Sequence, residues 1–119
     1  MAIEASVKTA IEKAVTTEPF AQALKMKLIH LDSGHSVVEM VYDPDRMNNI
    51  YERIHGGAIF ALIDEAFEAA GQTDGTIAVA LNVNVSYVSS PEPGVKLKAE
   101  AHRVSPVSYT HLTLPTNRV

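Results

Sequence analysis

The stretch from residue 58 to 70 does most to limit the fold. Ile59, Leu62, Ile63, Ala66 and Ala70 recur at helical spacing and make one wide apolar face, and Gly71 is the expected C-terminal cap. A face that wide has to be covered. The flanking segments that can cover it read mainly as strands. Residues 26–31 and 35–43 are separated by an Asp32-Ser33-Gly34 turn, and the second alternates Val37, Glu39, Val41 and Asp43 against Val38, Met40 and Tyr42. Residues 76–88 are rich in β-branched side chains, and 95–104 alternate apolar with charged positions. An amphipathic helix is expected over 3–15, on a stripe of Ile3, Val7, Ala10, Ile11 and Ala14. Pro19 breaks it, and 20–24 form a further short turn. Residues 45–54 read as a polar, irregular loop. The order implies an α+β domain, one central helix wrapped by an antiparallel sheet.

A single domain is expected over residues 1–106. Residues 107–119 lack sustained alternation and read as an atypical, non-native tail, set aside from the fold. The net charge is −4 and the ten basic residues are scattered, which argues against a nucleic-acid partner. Cysteine is absent, so disulfides, thiolate zinc sites and a cysteine nucleophile are excluded. His30, His35, His102 and His111 show no metal spacing, and neither a metal nor a cofactor is expected. No secretory signal pattern is seen at the N-terminus, and no apolar run approaches the ~20 residues of a membrane span. The expected setting is cytoplasmic, without membrane contact; the leading helix carries both signs of charge and should pack on its own domain.

The chemistry concentrates in His55-Gly56-Gly57 and the helix beyond it. A helix start carries unpartnered N–H groups and the positive end of the macrodipole, and glycine removes the Cβ that would keep another group away. Such a place polarises a carbonyl. Asp64 lies seven residues after Gly57, two turns on and on the same side, with Phe60 and Phe67 about one turn to either side. Those rings would keep the carboxylate partly dry and raise its basicity. Other readings weigh against each residue: His55 as a mere cap, the glycines as packing devices, Tyr87, Asn82 and Asn84 as ordinary strand residues. Glu65 reads as solvated, and Glu68 as bordering the pocket on the Asp64 side.

Asn49, His55-Gly56-Gly57 and an Asp nine residues past the His resemble the hotdog-fold thioesterases of the phenylacetate-degradation type, over residues 20–104. The resemblance implies a sheet curled around the central helix. It also implies a homodimer joined edge to edge, often a dimer of dimers, with sites at the interface and an acyl-CoA substrate. It assigns Gly56 N–H, with Gly57, to the thioester carbonyl and Asp64 of the partner subunit to the base or nucleophile. His55 and Asn49 are orienting groups, and Gly57, Phe60, Phe67, Glu68 and Asn84 border the substrate. An aromatic or medium acyl chain would suit Phe60, Phe67 and Tyr87. Three departures stand out. Ala80 replaces a Ser or Thr, Ile50 replaces a glycine, and the family continues for about another strand pair where this chain has its atypical tail, as a truncated copy would. A hotdog dehydratase, a non-catalytic acyl-CoA-binding module and an inactive truncated copy are the alternatives.

Overall fold

The computed structural model describes residues 2–78, 84–104 and 110–113, the last four as backbone. Helix α1 (Ala5–Thr17) begins two residues later than the sequence implies, and Val15 is its buried residue, with Ile3, Val7 and Ile11 only half-buried. The buried stripe is therefore rotated from the expected one: Ala10 and Ala14 are exposed. Glu18 is extended (φ −66°, ψ 119°) because the Pro19 ring disfavours the α region for the residue before it. Pro19 then opens a second short helix, α2 (Pro19–Ala23), from a position where its missing N–H costs nothing. The outcome is a sharp corner between two helices, with Glu18 at its apex.

Strands β1 (Lys27–Asp32) and β2 (His35–Val41) pair antiparallel across a turn whose Gly34 takes the left-handed conformation (φ 62°). A bulge interrupts their register between Leu28 and His30. The loop expected over 45–54 begins instead with a short helix, α3 (Pro44–Met47), whose N-cap Asp43 accepts a bond from the Asp45 amide at 3.1 Å. Asp followed by Pro is a good helix start, outweighed in the sequence by the polar composition.

The central helix α4 (Gly56–Gly71) starts at the glycine pair and buries ten of its residues. Gly71 lies inside it and the cap is Gln72, correcting the expected glycine stop. The Gln72 side chain closes the end itself, donating to Ala78 O and accepting from Ala78 N–H at 2.8 and 2.9 Å. Strand β3 (Lys96–Arg103) pairs with β2, and β4 (Thr110–Thr113) with β3, giving one antiparallel sheet in the order β1-β2-β3-β4. Residues 110–113, within the stretch set aside as a tail, thus continue the sheet.

No strand is assigned in the described parts of the expected 76–88 strand, residues 76–78 and 84–88; Ala80 and Asn82 fall outside the described residues. A strand needs a ladder partner, and none of the described strands pairs with these parts.

Leu62, Ala66 and Ala70 pack on Val38, Met40, Ala99 and Ala101 of the inner sheet face. Alanines on both surfaces allow close approach, and the buried Ser36 hydroxyl donates to Ala66 O at 2.6 Å. Thr73 Oγ1 accepts from Gly34 N–H at 2.7 Å and Arg103 N–H donates to Gly34 O at 2.7 Å, tying the end of α4 to the β1–β2 turn. None of the described helices is long and apolar enough to cross a membrane.

Candidate functional site

The start of α4 is fixed by the loop before it. An isolated bridge joins Asn48 to Ile54, and His55 N–H donates to Met47 O at 2.6 Å. Within the loop, Asn49 Oδ1 accepts from the Tyr51 and Arg53 amides at 2.8 and 3.1 Å. Tyr42 O–H donates to the Asn48 carboxamide. The Asn49 oxygen thus shapes the loop, and only its NH₂ is left to meet anything else.

His55 folds back as the N-cap, its Nδ1 accepting the Gly57 N–H at 2.8 Å. His55 does cap the helix. Gly57 is glycine because a Cβ there would stand 2.9 Å from Nδ1. Gly56 faces Tyr87, whose Cζ would lie 3.3 Å from an added Cβ and whose hydroxyl donates to Gly56 O at 3.1 Å. The group approaching Gly56 so closely is therefore an aromatic ring of the chain itself, a contact that reading Tyr87 as a strand residue misses.

The donors of the first turn can be accounted for. Gly57 N–H goes to His55, and the Ala58 and Ile59 amides go to His55 O at 2.9 and 3.5 Å. Gly56 N–H has no acceptor among the described residues. Of these amides at the positive end of the helix, Gly56 N–H is thus the one without an acceptor among the described residues, while Gly57 N–H is engaged by His55.

Asp64 is half-buried, and burial, followed by the charge of Glu18, raises its pKa above the usual carboxylate value. Phe60 and Phe67 are half-buried nearby on the same helix. Eight residues of helix rise place Asp64 roughly 12 Å beyond Gly56 along one chain. A carboxylate and an amide so far apart do not share one carbonyl carbon within a single chain.

Glu65 overturns its expectation. It is 3% exposed, and its Oε2 has no hydrogen-bond partner among the described residues. The α1–α2 corner lies over this side of α4 and sets the Glu18 carboxyl against it, with oxygens of Glu18, Glu65 and Glu68 all within 4.8 Å of one another. Two carboxyl groups bond to each other only when one carries a proton. Burial first, then the Glu18 contact, push Glu65 up to about 8 and Glu68, more open to water, up to about 7. Glu18 escapes a sequence reading because only the fold brings residue 18 to residue 65; its one local sign is the proline next to it. Asn84 is exposed and forms no hydrogen bond among the described residues.

The histidines are less scattered than their numbering suggests. His35 and His102 face each other across β2 and β3 with Glu100 between them, on the outer face of the sheet. Hydrogen bonding from His35 holds the Glu100 carboxyl below its usual range.

Residues 51–105 match the thioesterase superfamily. The chain is 35% identical over 86 residues to a putative esterase of Archaeoglobus fulgidus, spanning 71% of this chain and 54% of that protein. It is 33% identical over 81 residues to the acyl-coenzyme A thioesterase PaaI of Escherichia coli, spanning 68% and 57%. The chain spans about half the length of the curated relatives it matches. Among solved structures, the PaaI protein from the E. coli phenylacetic acid degradation operon superposes at a TM-score of 0.81 and 24% identity, over 95% of this chain and 86% of that one. A mutant of the phenylacetic acid degradation protein PaaI from Thermus thermophilus gives 0.74 at 30% identity, over 86% and 91%. With its antiparallel sheet laid along one long helix, the chain belongs to the PaaI-like branch of the hotdog-fold thioesterase superfamily.

Proposed function

We propose that the protein hydrolyses an acyl-CoA thioester, with the Gly56 N–H as carbonyl donor and Asp64 as the group that activates water. The observation that carries this reading is the Gly56 amide, without an acceptor among the described residues, at the glycine-fronted start of a helix that also holds a half-buried carboxylate of raised proton affinity. Relatives named as an esterase and an acyl-coenzyme A thioesterase support it. The Gly56 N–H donates to the thioester oxygen. Asp64 takes a proton from water as its oxygen bonds to the carbonyl carbon, the C–S bond breaks, and the proton passes to the departing thiolate, leaving free acid and CoA. The ~12 Å along one helix makes a single chain insufficient, so the Asp64 that meets a given Gly56 belongs to a second copy in a homodimer or dimer of dimers.

His55 acts by capping, which holds the Gly56 amide in place, and Asn49 turns its NH₂ toward the carbonyl or the water. Phe60, Phe67 and Glu68 border the acyl pocket, Gly57 keeps its rim open, and Asn84 contacts the CoA portion. Thiol release from a panel of acyl-CoA esters tests this. Asp64→Asn is expected to lower the rate by roughly 10²–10⁴-fold with the oligomer intact. An Asp64→Asn protein that hydrolyses at the parent rate overturns the mechanism; water addition or loss without thiol release overturns the assignment in favour of a dehydratase.

A further inference from the structure

We propose that His35, Glu100 and His102 form a binding site for one divalent transition-metal ion, of the zinc or nickel kind, on the outer face of the sheet. Two imidazoles and a carboxylate are a donor set these ions prefer. Backbone register places them. His35 and His102 are directly opposed on β2 and β3, and Glu100 lies two residues from His102 on the same face. The rings stack at 4.2 Å between centroids and 12° between planes, and both Nε2 atoms point at one oxygen, Glu100 Oε2, at 2.6 and 3.1 Å. One ligand atom from each residue lies within 4.8 Å of the others. A tetrahedral ion with bonds of about 2.1 Å holds its ligand atoms roughly 3.4 Å apart, so these atoms, now within 4.8 Å of one another, come to an ion by side-chain rotation that unstacks the two rings.

Among the described side chains, the neighbouring charged groups are engaged elsewhere. Arg103 is turned to Asp74 at 3.2 Å, and Lys96 and Lys98 to Glu39 at 3.6 and 3.8 Å. His30 flanks His35 with centroids 4.8 Å apart. The side chains are 27, 38 and 51% exposed for His35, Glu100 and His102, which leaves a coordination position for water and a path for exchange. Ser36, Val38, Ala99 and Ala101, on the opposite face of the same strands, line the core under α4. The sheet thus separates the ion from Asp64, and its effect is to clasp β2 to β3.

The test is calorimetric titration of the chelator-treated full chain with Zn²⁺ and Ni²⁺. One ion per chain at micromolar affinity is expected, with a rise in Tm and, for Co²⁺, a visible absorption band from nitrogen and oxygen ligands. His102→Ala and Glu100→Gln, at half-exposed positions, are expected to weaken binding at least tenfold while the circular dichroism stays unchanged. Asp64→Asn is expected to leave it as it was. Undiminished affinity in the His35→Ala, His102→Ala double variant overturns the proposal, and so does binding that needs millimolar metal.

Discussion

Replacing Glu65 with Gln isolates the electrostatic cost of the carboxyl cluster. Gln keeps the shape and the capacity to hydrogen-bond Glu18, and it removes the ionisation. The proton affinity of Glu65 is raised in the folded protein from 4.5 to about 8, so the native state holds a proton that the unfolded chain releases. Below about pH 4.5 both states are protonated and the group contributes no pH dependence. Between there and about pH 8 the unfolded state binds fewer protons than the native one, and stability falls as pH rises. At about 1.36 kcal/mol per tenfold change in proton affinity, the full loss approaches roughly 5 kcal/mol. Relaxation and water entry make about 2–3 kcal/mol the realistic figure at pH 8. Glu68 is present in both proteins and largely cancels in the comparison. Urea unfolding of the two proteins at pH 5 and pH 8 reads the difference. Glu65→Gln should nearly match the parent at pH 5 and exceed it by about 2–3 kcal/mol at pH 8. An equal gap at both values would refute a protonated, buried Glu65.

Two further outcomes rest on geometry. Gly57→Ala puts a Cβ 2.9 Å from His55 Nδ1, which forces the imidazole off its cap. About 1 kcal/mol of stability is lost, Tm falls by a few degrees, and thiol release slows as the helix start loosens; an unchanged Tm and rate would show that His55 does not need the glycine. Leu62→Ala empties a fully buried place between α4 and the sheet and should cost about 2–5 kcal/mol in denaturant unfolding; a loss under about 1 kcal/mol would show that the helix is not seated as described.

The central helix and the glycine motif were legible because their signals are local. Apolar spacing places α4 within two residues at its start, and His55-Gly56-Gly57 marks that start whichever reading of its purpose is taken. What escaped depends on contacts between distant parts of the chain. Glu65 reads as solvated from its own helix, since burial comes from a corner some fifty residues earlier. The histidines look unrelated until strand register brings 35 beside 102. The short α3 is signalled by Asp43-Pro44, and the polarity of residues 45–54 outweighs that signal. Residues 76–88 read as a strand from composition, but the ladder partner a strand requires is not a property of composition.

A single ring closure near the front of the chain thus has influence far from where it stands. By forcing residue 18 out of helical geometry, Pro19 decides where one negative charge comes to rest, and that charge acts on three acids of α4. The leading helices are therefore part of the acid–base balance of the central one, and the readiness of Asp64 to accept a proton is set partly by a bend at residue 18.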